Sequence, residues 1–166
     1  MNDLIEDLLL LARVGQAHLR RIPTDISEIG AEIADELRES DPARKVSFNI
    51  QPGMHASCDP GLIRIVLQNL LGNSWKFSSK TPEPRIQLGA RRQNGKPVFF
   101  VADNGAGFPM EQAASVFAPF KRLHSESEFP GTGIGLATVQ RIIRKHDGTI
   151  WAESEPGRGA TFFFTL

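Results

Sequence analysis

Apolar residues follow two rhythms along this chain. Over residues 2–21, Leu4, Leu8 and Leu11 recur three or four apart, with Gly15, His18 and Ile22 continuing the stripe. Ile5, Leu9 and Ala12 widen it. That spacing predicts one helix, close to a heptad pattern. Asp3, Glu6 and Asp7 lie in its first turns and Arg20 and Arg21 near its end, as the macrodipole prefers. Such a helix either packs on its own domain or joins a bundle. Pro23 ends it. Residues 24–26 predict a short strand, and Ser27 caps a second helix that buries Ile29, Ile33, Ala34 and Leu37. Residues 46–50 alternate apolar and polar, as a half-buried strand does. After a Pro52-Gly53 turn, residues 54–58 form another strand. Asp59-Pro60 then starts a helix running to Phe77, with Leu62, Ile63, Val66, Leu67, Leu70 and Leu71 on its apolar face.

Residues 85–90 and 96–102 predict two strands joined around Asn94-Gly95, a strong hairpin signal. A short helix over 109–116 and a last helix opening at Gly131 come next. Leu136, Val139, Ile142 and Ile143 form the last helix's apolar face, and Gly148 is its C′ residue. Strands over 149–153 and 161–166 close the chain. There is no internal repeat. A length of 166 residues suits one domain with an appendage. Hydrophobic residues make up 40%, enough for a core. The net charge of +0 argues against a nucleic-acid footprint. The single cysteine, Cys58, excludes an intrachain disulfide and suits packing in a reducing compartment. No apolar run is long enough to span a bilayer, and no signal peptide precedes the first helix. The expectation is a cytoplasmic chain, or a piece of a larger, membrane-attached protein.

Candidate chemistry gathers in four places. Asp103 ends an apolar strand and is followed by Gly105 and Gly107. A carboxylate there either accepts from a nucleobase amine or is solvated in a plain turn. Asn69, Asn73 and Lys76 fall at i, i+4 and i+7 beside the leucine face of their helix. Asn oxygens ligate Mg²⁺ and a Lys ammonium neutralises phosphate. The alternative is a polar outer face. Gly131, Thr132, Gly133, Ile134, Gly135 and Leu136 open the last helix, where backbone N–H groups make an anion site. The spacing is neither the dinucleotide fingerprint nor a P-loop. Phe117, Phe120, Lys121 and Arg122 lead into a polar loop, and residues 120–130 are expected to be the most mobile part. His124 reads as a surface residue.

These stretches resemble one family. Residues 69–77 are similar to the N box of sensor histidine kinases, and residues 103–108 (Asp103 to Phe108) to their first glycine box. Residues 117–122 resemble the F box and residues 131–136 the second glycine box. The resemblance covers the chain from Pro23 onward, and residues 1–22 resemble the second helix of the family's dimerisation and phosphotransfer hairpin. It implies an α+β fold: a two-layer sandwich with a mixed sheet and three helices on one face, preceded by an N-terminal amphipathic helix. Residues 23–166 would be the ATP-binding catalytic domain, with ATP and Mg²⁺ as cofactors. Asp103 would accept from the adenine amine, with Gly105, Gly107 and Phe108 around the base. Asn73 would hold Mg²⁺ with Asn69 nearby, and Lys76 would contact phosphate. Phe117 and Phe120 would anchor a lid whose glycines meet the phosphates, aided by Lys121 or Arg122.

The implied partners are a phosphoacceptor helix, a response regulator and a second copy through the first helix. None of the four histidines has the family's His-acid helical setting except His146, which ends the last helix, so the phosphoacceptor helix is expected to lie outside this sequence. Relatives that hydrolyse ATP or phosphorylate serine carry a Glu where this chain has Asn69. An amide is a poor base, which favours transfer to histidine. The other alternative is a nucleotide-binding or dimerisation module without catalysis.

Overall fold

The leucine-rich rhythm of residues 60–77 becomes helix α3 (Pro60–Phe77), around which the core is built. It appears in a computed structural model that describes residues 2–166. Asp59 caps it, its side chain accepting from the Leu62 N–H at 3.1 Å, with Pro60 in the first turn. The other helices are α1 (Asn2–Gln16), α2 (Ile26–Ser40) and α4 (Gly135–Lys145). The strands are β1 (Ile22–Asp25), β2 (Ser47–Ile50), β3 (His55–Cys58), β4 (Arg85–Gln93), β5 (Lys96–Asp103), β6 (Ile150–Glu155) and β7 (Gly159–Phe164).

Five strands form a sheet in the order β2-β4-β5-β7-β6. β2 runs parallel to β4 and the other pairs are antiparallel, so the sheet is mixed. β1 and β3 make a separate two-stranded ribbon with Ile22 opposite Cys58. α3 lies between α2 and α4 and packs on the sheet. Ile63, Val66, Leu67, Leu70 and Leu71 are buried with Ile86, Leu88, Phe99, Val101 and Phe164 of the strands and Val139, Ile142 and Ile143 of α4. Burying each large apolar side chain is worth roughly 1.5–3 kcal/mol, so this layer dominates stability. No helix among the described residues is long and apolar enough to cross a membrane.

Several boundaries differ from those expected. The first helix stops at Gln16, not Arg21, because the backbone after it is drawn onto the domain. The Arg20 N–H donates to Asp59, and the Arg21 guanidinium donates to the carbonyls of Ser57 and His146. The α2 cap is Asp25, which accepts from the Glu28 N–H at 2.9 Å. Ser27 instead ties α2 to the neighbouring turn, donating to Gln51 O and accepting from Met54 N. The expected helix over 109–116 is only a 3₁₀ turn at Met110–Gln112. α4 begins at Gly135, four residues after Gly131. At its far end the left-handed residue is Asp147, with φ 57°, not Gly148.

His146 links these parts. It is buried, and its Nε2 accepts from the Asp59 N–H at 3.1 Å, so the proton sits on Nδ1, 2.8 Å from Ile142 O. Burial lowers its pKa most, and Arg21 adds to that; the Ile142 hydrogen bond, Asp59 and Asp147 act the other way. The folded chain therefore binds this proton less tightly than the unfolded chain does. The stability it contributes is present above the ordinary histidine pKa of about 6.5 and is lost as pH falls below it, through the lower folded value. Urea unfolding is expected to show a midpoint that drops from about pH 7 to about pH 5, with a shallower drop in His146→Gln. A variant with the full wild-type drop would assign the acid sensitivity to other groups.

Candidate active site

Helical spacing lines up Asn69, Asn73, Lys76 and Phe77 along one side of α3, as i, i+4 and i+7 or i+8 positions must. β5 delivers Asp103 to the same side. Its Oδ1 accepts from the Gly105 N–H at 2.8 Å. Asn104 pins the turn to the sheet, donating to Glu83 O and accepting from the Arg85 N–H. Gly107 has φ 63°, and a Cβ there would lie 2.2 Å from Glu155 O, so only glycine fits this turn against the β6–β7 hairpin.

Residues 117–134 fold over these groups. Phe117 is buried edge-on against Phe162, and Phe129 is buried against Phe77 with centroids 5.0 Å apart. Arg122 ties the loop together, donating to the carbonyls of Phe129 and Gly131. The first turn of α4 rests on α3: a Cβ on Gly135 would stand 2.5 Å from Asn69 Oδ1. Gly135 and Leu136 of that turn line the cavity between them, and the N-terminal end of a helix favours an anion.

The cleft so formed has two ends. The wider holds about 360 Å³ and is lined by Asn69, Asn73, Lys76, Lys121, Arg122, Gly131, Thr132, Gly133, Gly135 and Leu136. The narrower, about 20 Å³, is lined by Asp103, Gly107, Phe108 and Phe162. Asn73, Phe77, Leu123, His124 and Leu136 border both. A larger depression of about 950 Å³ lies by Arg38, Arg44 and Arg85, but it gathers none of the motif residues. The cleft's electrostatics are opposed at its ends. Burial, with Arg122 as a lesser cause, lowers the Lys76 pKa, and burial raises that of Asp103 against hydrogen bonds from Gly105, Ser74 and Ala160. One end thus gathers cations, Lys76 among them desolvated, and the other a desolvated acceptor.

Most residues singled out from the sequence meet in this cleft; Gly105, Phe117, Phe120 and Ile134 do not line it. Gly105 supports the turn from behind, where a Cβ would stand 2.4 Å from Phe77 O. Ile134 is fully buried in the core. Phe120 does not anchor the lid by its ring, which is 59% exposed; its N–H does so by donating to Gly133 O at 2.9 Å. His124 is not a surface residue but half-buried between Phe77 and Phe129. Phe77 follows from the same i, i+4 arithmetic that picks out Asn73. Asp3 and Asp7 carry no such signal. They line the wider end from α1, where Asp7 accepts from the Thr132 hydroxyl.

Residues 58–166 match the family of histidine kinase-, DNA gyrase B-, and HSP90-like ATPases. The whole chain aligns with the methanogenesis regulatory histidine kinase FilI of Methanothrix harundinacea at 37% identity, covering 19% of that protein. It aligns equally fully with the adaptive-response sensory kinase SasA of Thermosynechococcus vestitus at 38% identity, covering 45% of it. The chain therefore spans less than half the length of these relatives. The full-length structure of ShkA in complex with AMPPNP superimposes with a TM-score of 0.76 at 28% identity, over 97% of this chain and 34% of that one. The chain belongs to the histidine kinase-, DNA gyrase B- and HSP90-like ATPase family. Within it, the chain is similar to the catalytic ATP-binding part of sensor histidine kinases.

Proposed function

We propose that this domain binds Mg-ATP and transfers the γ-phosphoryl group to a histidine on a dimerisation helix that is not among these 166 residues. One observation carries the reading: a single cleft has a half-buried carboxylate at its narrow end and Asn73, Lys76, Arg122 and the α4 N-terminus at its wide end. Asp103 accepts the adenine amino group. Lys76 and the α4 amides take the phosphates. The Asn69 amide donates to Ile65 O at 2.9 Å, which leaves its oxygen for the cavity beside Asn73. Two amide oxygens suit Mg²⁺, which is held by few protein ligands together with substrate phosphates. The metal would neutralise charge on the transferring group. A neutral imidazole nitrogen attacks the γ-phosphorus, the bond to the β-phosphate oxygen breaks, and ADP leaves. No base is needed, which agrees with an amide at Asn69. That amide distinguishes the reading from ATP hydrolysis or transfer to serine. The test is transfer of label from γ-labelled Mg-ATP to an added two-helix domain carrying the acceptor histidine. Nucleotide binding without transfer would leave a nucleotide-binding module only.

Residues 1–22 we assign to half of the dimerisation hairpin, and a response regulator would take the phosphoryl group onward, in the cytoplasm where ATP is held. α1 docks on α4 by burying Val14 and partly burying Leu10. It leaves Ile5 59%, Leu9 50%, Leu8 39% and Leu4 37% exposed, a stripe that a second copy would cover. Sedimentation of the full chain is expected to show concentration-dependent association that Ile5→Glu with Leu9→Glu abolishes. A wild-type monomer at all concentrations would end this assignment.

A further inference from the structure

The lid closes the narrow end of the cleft through a residue that no motif assigns. His124 Nε2 lies 3.0 Å from Gly107 O. A carbonyl only accepts, so Nε2 carries the proton and donates. The imidazole sits 5.4 Å from the Phe77 ring and 5.0 Å from the Phe129 ring, and those two rings are 5.0 Å apart. Its Nδ1 is 3.7 Å from a Glu128 carboxylate oxygen. The lid is thus bound to the first glycine turn and to the end of α3 at one point. What remains beside Asp103 is about 20 Å³, room for about one water and not for a purine.

We infer that His124 is the latch of this lid: it holds the base end shut in the nucleotide-free chain, and a purine displaces it to reach Asp103. The inference rests on the nucleotide reading above. Only chains with the latch open are competent to bind, so the latch lowers the apparent affinity and association rate by the open fraction. Removing the ring removes one hydrogen bond and two aromatic contacts. The open fraction should then rise by about tenfold.

The experiment is stopped-flow association of a fluorescent ATP analogue with Mg²⁺, beside calorimetry with Mg-ATP. His124→Ala is expected to associate about tenfold faster than wild type, with His124→Phe in between because it keeps the ring cluster and loses the bond. In the wild-type chain, Mg-ATP should shift the His124 imidazole resonances and leave those of exposed His18 and His55 in place. The latch is overturned if nucleotide binds but His124→Ala associates at the wild-type rate, or if the His124 resonances stay put on binding; the nucleotide reading survives both results. Calorimetry that shows no binding to wild type overturns the nucleotide reading and the latch together.

Discussion

Asp103→Asn is expected to weaken Mg-ATP binding by roughly ten- to a hundredfold, the worth of a charge-assisted hydrogen bond, and at the same time to make the nucleotide-free chain more stable. The carboxylate lies in the narrow end of the cleft, held by the Gly105 N–H. Burial raises its pKa despite three hydrogen bonds. A raised folded-state value means that the folded chain holds this proton more tightly than the unfolded one. The stability from that proton is present below the ordinary Asp pKa of about 3.9 and is lost as pH rises through the folded value. Once ionised, the site therefore carries a desolvated charge. Asparagine keeps the shape and one acceptor oxygen but no charge. The unfolding temperature should rise by about 2–4 °C for each ~1 kcal/mol recovered, and the gain should vanish in acid where both states are protonated. Calorimetry and thermal unfolding read the two effects separately. Unchanged affinity would remove Asp103 from the base site, and a lower unfolding temperature at neutral pH would contradict the electrostatic account.

Asn73→Ala should abolish most phosphoryl transfer, by roughly a hundred- to a thousandfold, the scale of losing one preorganised group on the transferring charge. Asn73 borders both ends of the cleft, so it stands where base and phosphate halves of a nucleotide join. If it ligates Mg²⁺, the loss appears in metal-dependent steps. Affinity for ATP in the presence of a chelator should stay within about threefold of wild type, whereas the gain on adding Mg²⁺ should shrink. Labelled transfer to the added acceptor domain, with calorimetry in both conditions, measures this. Wild-type transfer in the variant would take Asn73 out of the metal site. Equal losses with and without Mg²⁺ would make it a nucleotide contact instead.

What the sequence by itself determined is local. Asp59-Pro60 specifies the start of α3, because cap and N–H lie three residues apart. Asn94-Gly95 specifies its hairpin, both residues taking positive φ (53° and 77°), as that turn requires. The 3.6-residue period alone puts Asn69, Asn73 and Lys76 on one line. The local signal points to Ser27 as the α2 cap, yet Asp25 takes that place, because Ser27 bonds the distant Gln51 and Met54. The lid was decided only by tertiary contacts. Phe117 and Phe120 look alike in sequence, yet one meets Phe162 in the core and the other faces water. His124 looks like a loop histidine until Gly107, Phe77 and Phe129 surround it. Asp7 reaches Thr132 across 125 positions of chain. Capping and turn energies act within a few residues and are written in spacing. Burial and cross-chain hydrogen bonds depend on which elements the fold brings together, and no spacing carries that.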